Sequence, residues 1–450
     1  MIGKKCVLKV NLDFSLTTPL IIKSESNEDY IDAKIDRTPD GKLYINGYVW
    51  ASLFRRAAKR LKKVPHLFHK LGNYEGKEGV SLFWFEGSSV DLVITDIRPG
   101  LNIHRRYGSA LDGALYFEEI VPCGMRIPLS FKVFADEFNE LESVLKTLQE
   151  AIYIIDSGIE NIGGNWSYGL GRLKFVSGTY QMLDLSRDSD LELLAEDKIL
   201  KNSFHPQAGK VQQVWIKYKV KARIEKGQLL AIHSELPPLD LTNQKAKLLP
   251  EEPDHYVFRS FVLEDGSPKQ KFVLPGKIIR QALFSQHIER KLRTQGEHVC
   301  SLRGDKCTCA ICEQARLEKP KLKKAPDCQC KICRWFGSTD SRGIIAVTDA
   351  VIKNASTVDL RRIQLCEHSM QNINLFFEEY LTQGNFEFEI LIDQPKDNQE
   401  LLENVEQVLE EMTAQNAPPG WYRLGNSTTC AGSIRVLEWN KEQVQEEENA

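Results

Sequence analysis

The chain has 450 residues, 42% of them hydrophobic and 27% charged, and this composition excludes an intrinsically disordered protein. Its length exceeds what one hydrophobic core usually supports, which predicts two domains. The 59 basic and 62 acidic residues nearly cancel, so a surface for nucleic acid must be a local feature. No apolar run is long enough to span a bilayer, and the first residues alternate at once instead of forming a signal sequence. We therefore expect a cytoplasmic protein that does not associate with membranes.

The first half opens with a strand and continues into a basic helix. Alternating apolar residues from Cys6 to Ile22 predict the strand. A short apolar run and an Asn-Gly turn at 43–47 lead into the helical sequence VWASLFRRAAKRLKK, whose basic residues include Arg55 and Arg56. Such a basic face is commonly only solvated, but beside a ligand loop it can also follow phosphates.

The second half repeats the order of the first. Five elements recur: an opening strand, a turn into a helix, a Phe-Gly or Phe-Glu-Gly turn before a strand ending in Asp, a hairpin with two upstream basic residues, and a glycine-rich segment before the last strand. They occupy 6–22, 43–63, 84–96, 103–124 and 162–175 in the first half, and 214–224, 272–292, 335–349, 360–384 and 424–437 in the second. This repetition predicts an internal duplication.

A polar segment around His205 separates the two halves and is typical of a connector. The predicted organisation is a first domain at 1–183, a linker at 184–212, a second domain at 213–440 with an insertion at about 294–334, and an acidic tail at 441–450.

The glycine-rich segment of the first half has two interpretations. Gly163 and Gly164 would let backbone N–H groups approach a phosphate, and Trp166 beside Arg172 would suit stacking on bases. The same composition is also typical of a tight bend between strands. It matches neither a P-loop nor the dinucleotide-binding pattern.

Seven of the eleven cysteines fall between Cys300 and Cys333, which in an intracellular chain indicates a metal rather than disulfides. Two C-x2-C pairs lie seventeen residues apart and predict a structural four-thiolate zinc site: Cys309, Cys312, Cys330 and Cys333. Further candidate ligands nearby leave the ligand set open: Cys307, Cys328, Cys300 and His298. The alternative is a set of reduced, unligated thiols.

The order of these elements resembles the RAMP superfamily, and most of all the Cas-seven-like backbone subunits of type III CRISPR effector complexes, with subtype III-D as a candidate. The resemblance implies an α+β fold with two tandem ferredoxin-like, RRM-related domains, each with a β-hairpin thumb, and a zinc-binding insertion in the second. It also implies a role in antiviral defence, with guide (CRISPR) RNA, target RNA and other effector subunits as partners.

Cleaving members of that family carry an aspartate in the loop after the first strand, five residues before an arginine. Here Asp32 precedes Arg37 and Asp254 precedes Arg259 by that spacing. The resemblance therefore implies an endoribonuclease that uses Mg2+ or Mn2+. A carboxylate can bind a divalent cation or accept the proton of an attacking 2'-hydroxyl, although a lone loop aspartate is usually a turn residue. Two neighbours compete with the first aspartate for this role: Asp29 and Asp36.

The resemblance also implies which residues hold RNA. They are the basic residues of the aspartate loops, helices and hairpins together with the glycine-rich segment: Arg37, Arg55, Arg56, Arg105, Arg106, Gly163, Gly164, Trp166, Arg172, Arg259, Lys277, Arg280, Arg361 and Arg362. The family's usual Pro-Gly turn is Asn46-Gly47 in the first half, which departs from the pattern.

Four functions remain open from the sequence. The first is an RNA-guided ribonuclease subunit, and the second is a scaffold that binds guide RNA without cutting. The third is a guide-processing nuclease, for which the family's histidine would have to come from one of three candidates outside the first loop: His66, His69 and His104. The fourth is an unrelated zinc-ribbon interaction protein.

Overall fold

A computed structural model gives the fold of most of the chain. It describes residues 4–23, 31–65, 81–92, 94–103, 110–195, 200–234, 253–300, 330–337, 342–365, 371–414, 422–424 and 432–443. These residues form a mixed α and β structure in which the strand pairs of the sheets are antiparallel. No helix in these ranges is long and apolar enough to cross a membrane.

The first half contains nine strands and three α-helices among the described residues. The strands are β1 (Cys6–Leu16), β2 (Leu43–Ile45), β3 (Phe83–Phe85), β4 (Ser88–Val90), β5 (Asp96–Ile103), β6 (Ala110–Ile120), β7 (Arg126–Ala135), β8 (Leu173–Asp184) and β9 (Asn202–Ser203). The helices are α1 (Gly47–Lys59), α2 (Phe138–Asp156) and α3 (Asp188–Ala195).

The second half contains nine strands and four α-helical segments in the part that the structure describes. The strands are β10 (Trp215–Ile224), β11 (His233–Ser234), β12 (Tyr256–Val257), β13 (Arg259–Glu264), β14 (Ser267–Leu274), β15 (Ile345–Val347), β16 (Ala350–Leu365), β17 (Asn372–Asp393) and β18 (Ile434–Gln443). The helical segments are α4 (Gly276–Ile279), α5 (Gln286–Thr294), α6 (Lys331–Phe336) and α7 (Gln399–Thr413), with a π-helical stretch at Arg280–Ser285 between α4 and α5.

The two main sheets place their strands in the same order. In the first half, β1 lies between β7 and β8, and β3 pairs with the outer edge of β7. In the second half, β10 lies between β17 and β18, and β15 pairs with β17. If these four strands are numbered along the chain in each half, both halves read 2-3-1-4. Helical segments lie between strands 1 and 2, and one helix lies between strands 3 and 4.

The first sheet is covered on both faces, so the start of β1 is buried on both sides and not only at the alternating apolar positions that the sequence predicted. Helices α1 and α2 pack against each other and against one face, burying the alternating side chains of β1. On the other face Val7 packs with Leu193 and Leu194 of α3, so both sides of the strand are apolar there. The segment predicted as a linker thus contains α3 and β9, which pairs with β8.

Each half carries a long antiparallel hairpin. In the first it joins β5 to β6, and in the second it joins β16 to the first part of β17. Both hairpins begin before the predicted ranges at 103–124 and 360–384, because most of the first arm of each lies between two predicted elements, at 97–102 and 350–359. The tips at 104–109 and 366–370 lie outside the described residues.

Helix α1 is capped at its N-terminus by Asn46, the residue that stands where a Pro-Gly turn was expected. The side chain of Asn46 accepts a hydrogen bond from the N–H of Tyr48 at 3.1 Å. In the second half, where Pro275 holds the corresponding place, the carboxylate of Asp349 accepts the N–H of Gly276 at 2.8 Å. Each helix start therefore has a side-chain acceptor for one backbone N–H, from Asn46 in the first half and from Asp349 in the second.

Candidate RNA interface and cysteine cluster

The first aspartate loop is fixed to the base of the first hairpin. One carboxylate oxygen of the exposed Asp32 accepts the N–H of Phe117 on β6 at 2.8 Å. Glu119, two residues further along β6, accepts the N–H of Ile35 at 3.1 Å and forms an ion pair with Arg37. The loop is therefore joined to the hairpin at two points, by the Asp32 carboxylate and by the buried Glu119, which holds Arg37.

The second aspartate loop makes the same contacts with the same spacing. Asp254, also exposed, accepts the N–H of Phe377 on β17 at 2.8 Å. Glu379 accepts the N–H of Val257 at 2.9 Å and pairs with Arg259 at 2.7 Å. In both loops, the residue whose N–H bonds the glutamate lies three residues after the aspartate, and the arginine lies five residues after it.

A cluster of titratable groups lies beside the second loop. Burial would raise the pKa of Glu378, but hydrogen bonds from Tyr380 and Arg362 outweigh it and hold the pKa below its usual value. His233 lies with its Nε2 3.0 Å from a backbone carbonyl, and its ring stacks on His255 at 5.8 Å. Sequence reasoning missed both histidines. The position of His255 directly after Asp254 was the available signal, whereas His233 carries no local pattern.

The glycine-rich segment of the first half is a bend packed against other parts of the protein. Trp166 is buried and donates its indole N–H to the carbonyl of Ile159 at 2.8 Å, while the guanidinium of Arg342 lies 3.9 Å from its ring centroid. Arg172 is buried and pairs with Glu389 of the second half at 2.5 Å. Base stacking by Trp166 or phosphate binding by Arg172 would require each side chain to leave these partners.

The two glycines of that segment remain nearer the surface. Gly164 is exposed and Gly163 half-buried, and the N–H of Gly164 donates to the carbonyl of Ile21 at 3.0 Å. The alternative prediction of a bend is confirmed, although the bend lies between helix α2 and strand β8 and not between two strands. An approach of RNA to the glycines stays a prediction. The glycine-rich residues 425–431 of the second half lie outside the described residues.

The predicted basic residues of the helices have protein partners. Arg56 donates to Glu160 at 2.9 Å and to Ser52 at 2.9 Å, and Arg55 is half-buried on the same helix. Arg280 is buried and donates to the carbonyl of Phe336 at 2.7 Å. Arg56 and Arg280 therefore stabilise the fold where the sequence suggested phosphate contacts.

Lys277 connects the second half to the first hairpin. Its ammonium lies 4.5 Å from the ring centroid of Tyr116 and 5.4 Å from that of Tyr168, and it donates to the Tyr116 hydroxyl. Since Tyr116 precedes the residue that bonds Asp32, the start of α4 lies close to the first aspartate loop.

The structure describes the predicted arginines of the second hairpin but not those of the first. On the second hairpin, Arg361 lies 5.1 Å from the ring centroid of Phe377, and Arg362 pairs with Glu378 at 3.0 Å. Arg105 and Arg106 of the first hairpin lie outside the described residues, as do the candidate histidines His66, His69 and His104 and the competing Asp29.

A comparison with known protein families found a match for the first half of the chain. Residues 13–174 match the RAMP superfamily. A RAMP domain supports a CRISPR-associated, RNA-binding role for this part of the chain. The match includes Asp32 and the first hairpin and ends near the start of β8. No curated protein matches the chain.

The cysteine cluster lies outside the RAMP match. Cys300, Cys330 and Cys333 are buried, and their sulfur atoms all lie within 4.8 Å of one another. The Sγ of Cys330 accepts the N–H of Cys300 at 3.4 Å, and Nε2 of His298 is 3.8 Å from the Sγ of Cys300. Three converging buried thiolates can hold a metal ion such as zinc.

The structure makes Cys300 a leading candidate ligand, although it was predicted only as an alternate. It lies beside the predicted pair Cys330 and Cys333 and precedes Cys330 by 30 residues in the sequence. The remaining candidates lie outside the described residues: Cys307, Cys309, Cys312 and Cys328.

Proposed function

We propose that this protein is an RNA-binding backbone subunit of a type III CRISPR ribonucleoprotein and that it cleaves target RNA paired to the guide. It is built from two tandem ferredoxin-like RAMP domains, at 1–183 and 213–440, each with a hairpin thumb. The observation that carries the proposal is the repeated arrangement of an exposed aspartate bonded to the base of a hairpin, at Asp32 and Asp254.

The internal duplication rests on more than one observation. The two sheets share the strand order 2-3-1-4 with helices in the same two connections. The contacts of Glu119 repeat at Glu379, on the same kind of strand and toward a loop with the same spacing. Since the RAMP match covers only the first half, this repetition extends the proposal to the second.

The chemistry uses the carboxylate that the loop presents. With one oxygen of Asp32 or Asp254 bonded to backbone, the exposed carboxylate is held in place and can accept the proton of a 2'-hydroxyl as that oxygen attacks the adjacent phosphorus. A hairpin that interrupts pairing between guide and target would bend the target strand and align this attack. A requirement for Mg2+ or Mn2+ stays a prediction. The one group of three or more possible metal ligands in the described ranges is the cysteine cluster.

The second candidate function is a guide-binding scaffold that does not cut. The protein contacts of the predicted basic residues favour it, because Arg56 and Arg172 form ion pairs and Arg280 donates to a backbone carbonyl within the protein. The two functions share every partner and differ only in the role of the loop aspartates.

Substitution of the aspartates in the reconstituted complex separates these functions. Asp32→Asn and Asp254→Asn should each reduce cleavage at a distinct set of target positions by about a hundredfold or more, because a general base contributes on that scale. Guide RNA binding should persist, since asparagine can still accept the backbone N–H of Phe117 or Phe377.

Two variants serve as comparisons: Asp36→Asn changes the aspartate that competes with Asp32, and Asp265→Asn changes an exposed aspartate of the second half. Asp36→Asn lies in the first loop, and Asp265→Asn lies in the turn between β13 and β14. Both should cleave at the rate of the unsubstituted complex. Unchanged cleavage in the doubly substituted Asp32→Asn, Asp254→Asn complex would establish the scaffold function instead.

A further inference from the structure

Two histidine rings stack beside the second loop aspartate. His255 follows Asp254 directly in the chain, and its ring centroid lies 5.8 Å from that of His233 at an interplanar angle of 26°. Phe376 packs edge-on against His255 with ring centroids 6.1 Å apart. The Cα atoms of Asp254 and His255 are about 3.8 Å apart, as in any consecutive pair, so the ring lies next to the residue that carries the proposed general base.

The inner ring of the pair is fixed from several sides. Nε2 of His233 lies 3.0 Å from the carbonyl oxygen of Glu379, and Nδ1 lies 4.0 Å from Oε1 of Glu378. Tyr380 packs edge-on against it with ring centroids 5.6 Å apart. Burial lowers the pKa of His233. His233 is therefore a neutral ring at physiological pH, and its stacking holds the half-buried His255 in place.

The first loop shares the carboxylate but not the imidazoles. There, Ala33 follows the aspartate directly. Lys23 pairs with Ile35 in an isolated bridge. The corresponding bridge of the second loop joins His233 to Val257. The same backbone frame thus presents one carboxylate in each half and surrounds it with different proton-transfer groups.

Resting on the ribonuclease function above, we propose that His255 is a further catalytic residue that gives a proton to the leaving oxygen at the second cleavage position. As the 2'-oxygen attacks phosphorus, its proton passes to the Asp254 carboxylate. The bond from phosphorus to the 5'-oxygen then breaks, and that oxygen takes a proton from the His255 imidazolium. The products are a 2',3'-cyclic phosphate and a 5'-hydroxyl. His233 is a positioning residue, because it acts on the RNA only through the ring of His255.

A target RNA with a bridging sulfur in place of the leaving 5'-oxygen tests this role. Sulfur leaves as a thiolate and needs no proton donor. The substituted linkage is placed at the position whose cleavage Asp254→Asn abolishes, and the complete reconstituted complex is used. His255→Ala should slow cleavage of the oxygen linkage there by about a hundredfold and leave the sulfur linkage within a few-fold of the unsubstituted complex. Cleavage at the Asp32-dependent positions should not change.

Three further variants guard against a purely structural effect. His255→Gln keeps a planar polar side chain and should reproduce the loss on oxygen and the rescue on sulfur. His233→Phe keeps a stacking ring and should cleave faster than His233→Ala. His205→Ala removes an exposed histidine from the segment between the halves and should have no effect.

The outcomes separate this inference from the function on which it rests. If Asp254→Asn leaves all cleavage intact, the ribonuclease function of the second half fails. If Asp254→Asn abolishes cleavage but His255→Ala leaves the oxygen linkage unaffected, or slows both linkages equally, only the role of His255 is overturned.

Discussion

At the scale of single residues, the candidate site depends on two buried glutamates. Glu119 and Glu379 each accept a loop N–H and pair with an arginine, so a charged group with little access to water is fully satisfied. The spacing of Asp32 and Asp254 to these arginines can be read from the sequence. The sequence did not predict the glutamates as their partners, because the paired residues are 82 and 120 positions apart.

The cysteine cluster gives a prediction at the same scale. We expect at least one zinc ion per chain, bound by Cys300 together with the predicted pair Cys330 and Cys333, because three converging sulfur atoms become thiolate ligands when they bind a metal. Cys300→Ser should lower the zinc content measured by elemental analysis and the melting temperature. Cys123→Ser, which alters a half-buried cysteine elsewhere, should keep both. Full zinc content in Cys300→Ser would exclude that cysteine from the ligand set.

At the scale of elements, the glycine-rich segment is a bend whose shape depends on one backbone approach. Gly171 has φ +73°, and a Cβ added there would lie 1.9 Å from the carbonyl oxygen of Ile162. That carbonyl belongs to the bend itself, since the N–H of Ile162 donates to the carbonyl of Gly171 at 2.8 Å. A side chain at this position would open the bend that holds Trp166 and Arg172 in the interior.

Replacement of Gly171 should therefore destabilise the protein more than replacement of a glycine that also has a positive φ but has open surroundings. Gly171→Ala combines left-handed strain with overpacking, whereas Gly41→Ala, at φ +85° with no atom within 4 Å, adds only the strain. We expect the free energy of unfolding of Gly171→Ala to fall below that of Gly41→Ala by about 1–3 kcal/mol. Parallel urea unfolding measures the difference, and equal losses would contradict the close approach.

At the scale of the whole molecule, a buried ion network joins the two halves. Arg60, which directly follows α1, pairs with both carboxylate oxygens of Asp393 at 2.8 and 2.7 Å and with Glu160 at 2.8 Å. Arg342 lies 3.5 Å from Glu160. Trp215, the first residue of β10, is buried in the core of the first half. The halves are thus held against each other, which fixes the relative positions of the two aspartate loops.

This network predicts a sensitivity to acid. Burial would raise the pKa of Glu160, but Arg60, Arg342 and Arg56 outweigh it and lower the pKa below the ordinary 4.5. The stability that Glu160 contributes is therefore present above its ordinary pKa and is lost as the pH falls through the lowered value. Glu160→Gln should lower the free energy of unfolding by about 3 kcal/mol at pH 7, because it removes one of the two charge partners of the buried Arg60 guanidinium.

Thermal unfolding between pH 7 and pH 3 measures this dependence. Glu160→Gln should lose less stability than the unsubstituted protein over that range, since the titrating group is gone. Glu142→Gln, on an exposed position of α2, should follow the unsubstituted protein. The same loss in Glu160→Gln as in the unsubstituted protein would show that another carboxylate governs the acid transition.

The sequence by itself determined the features that rest on local patterns. The opening strands, the basic helix α1, the spacing of five residues from each aspartate to an arginine, and the Cys330–Cys333 pair all follow from patterns within a few residues. Only the tertiary structure brought Cys300 to that pair, stacked His233 on His255, and enclosed Trp166 in the interior. Cys300 and His233 meet partners more than twenty residues away along the chain, and Trp166 lies under Arg342 of the other half. Contacts over such separations depend on how the strands and helices pack, which no local spacing encodes.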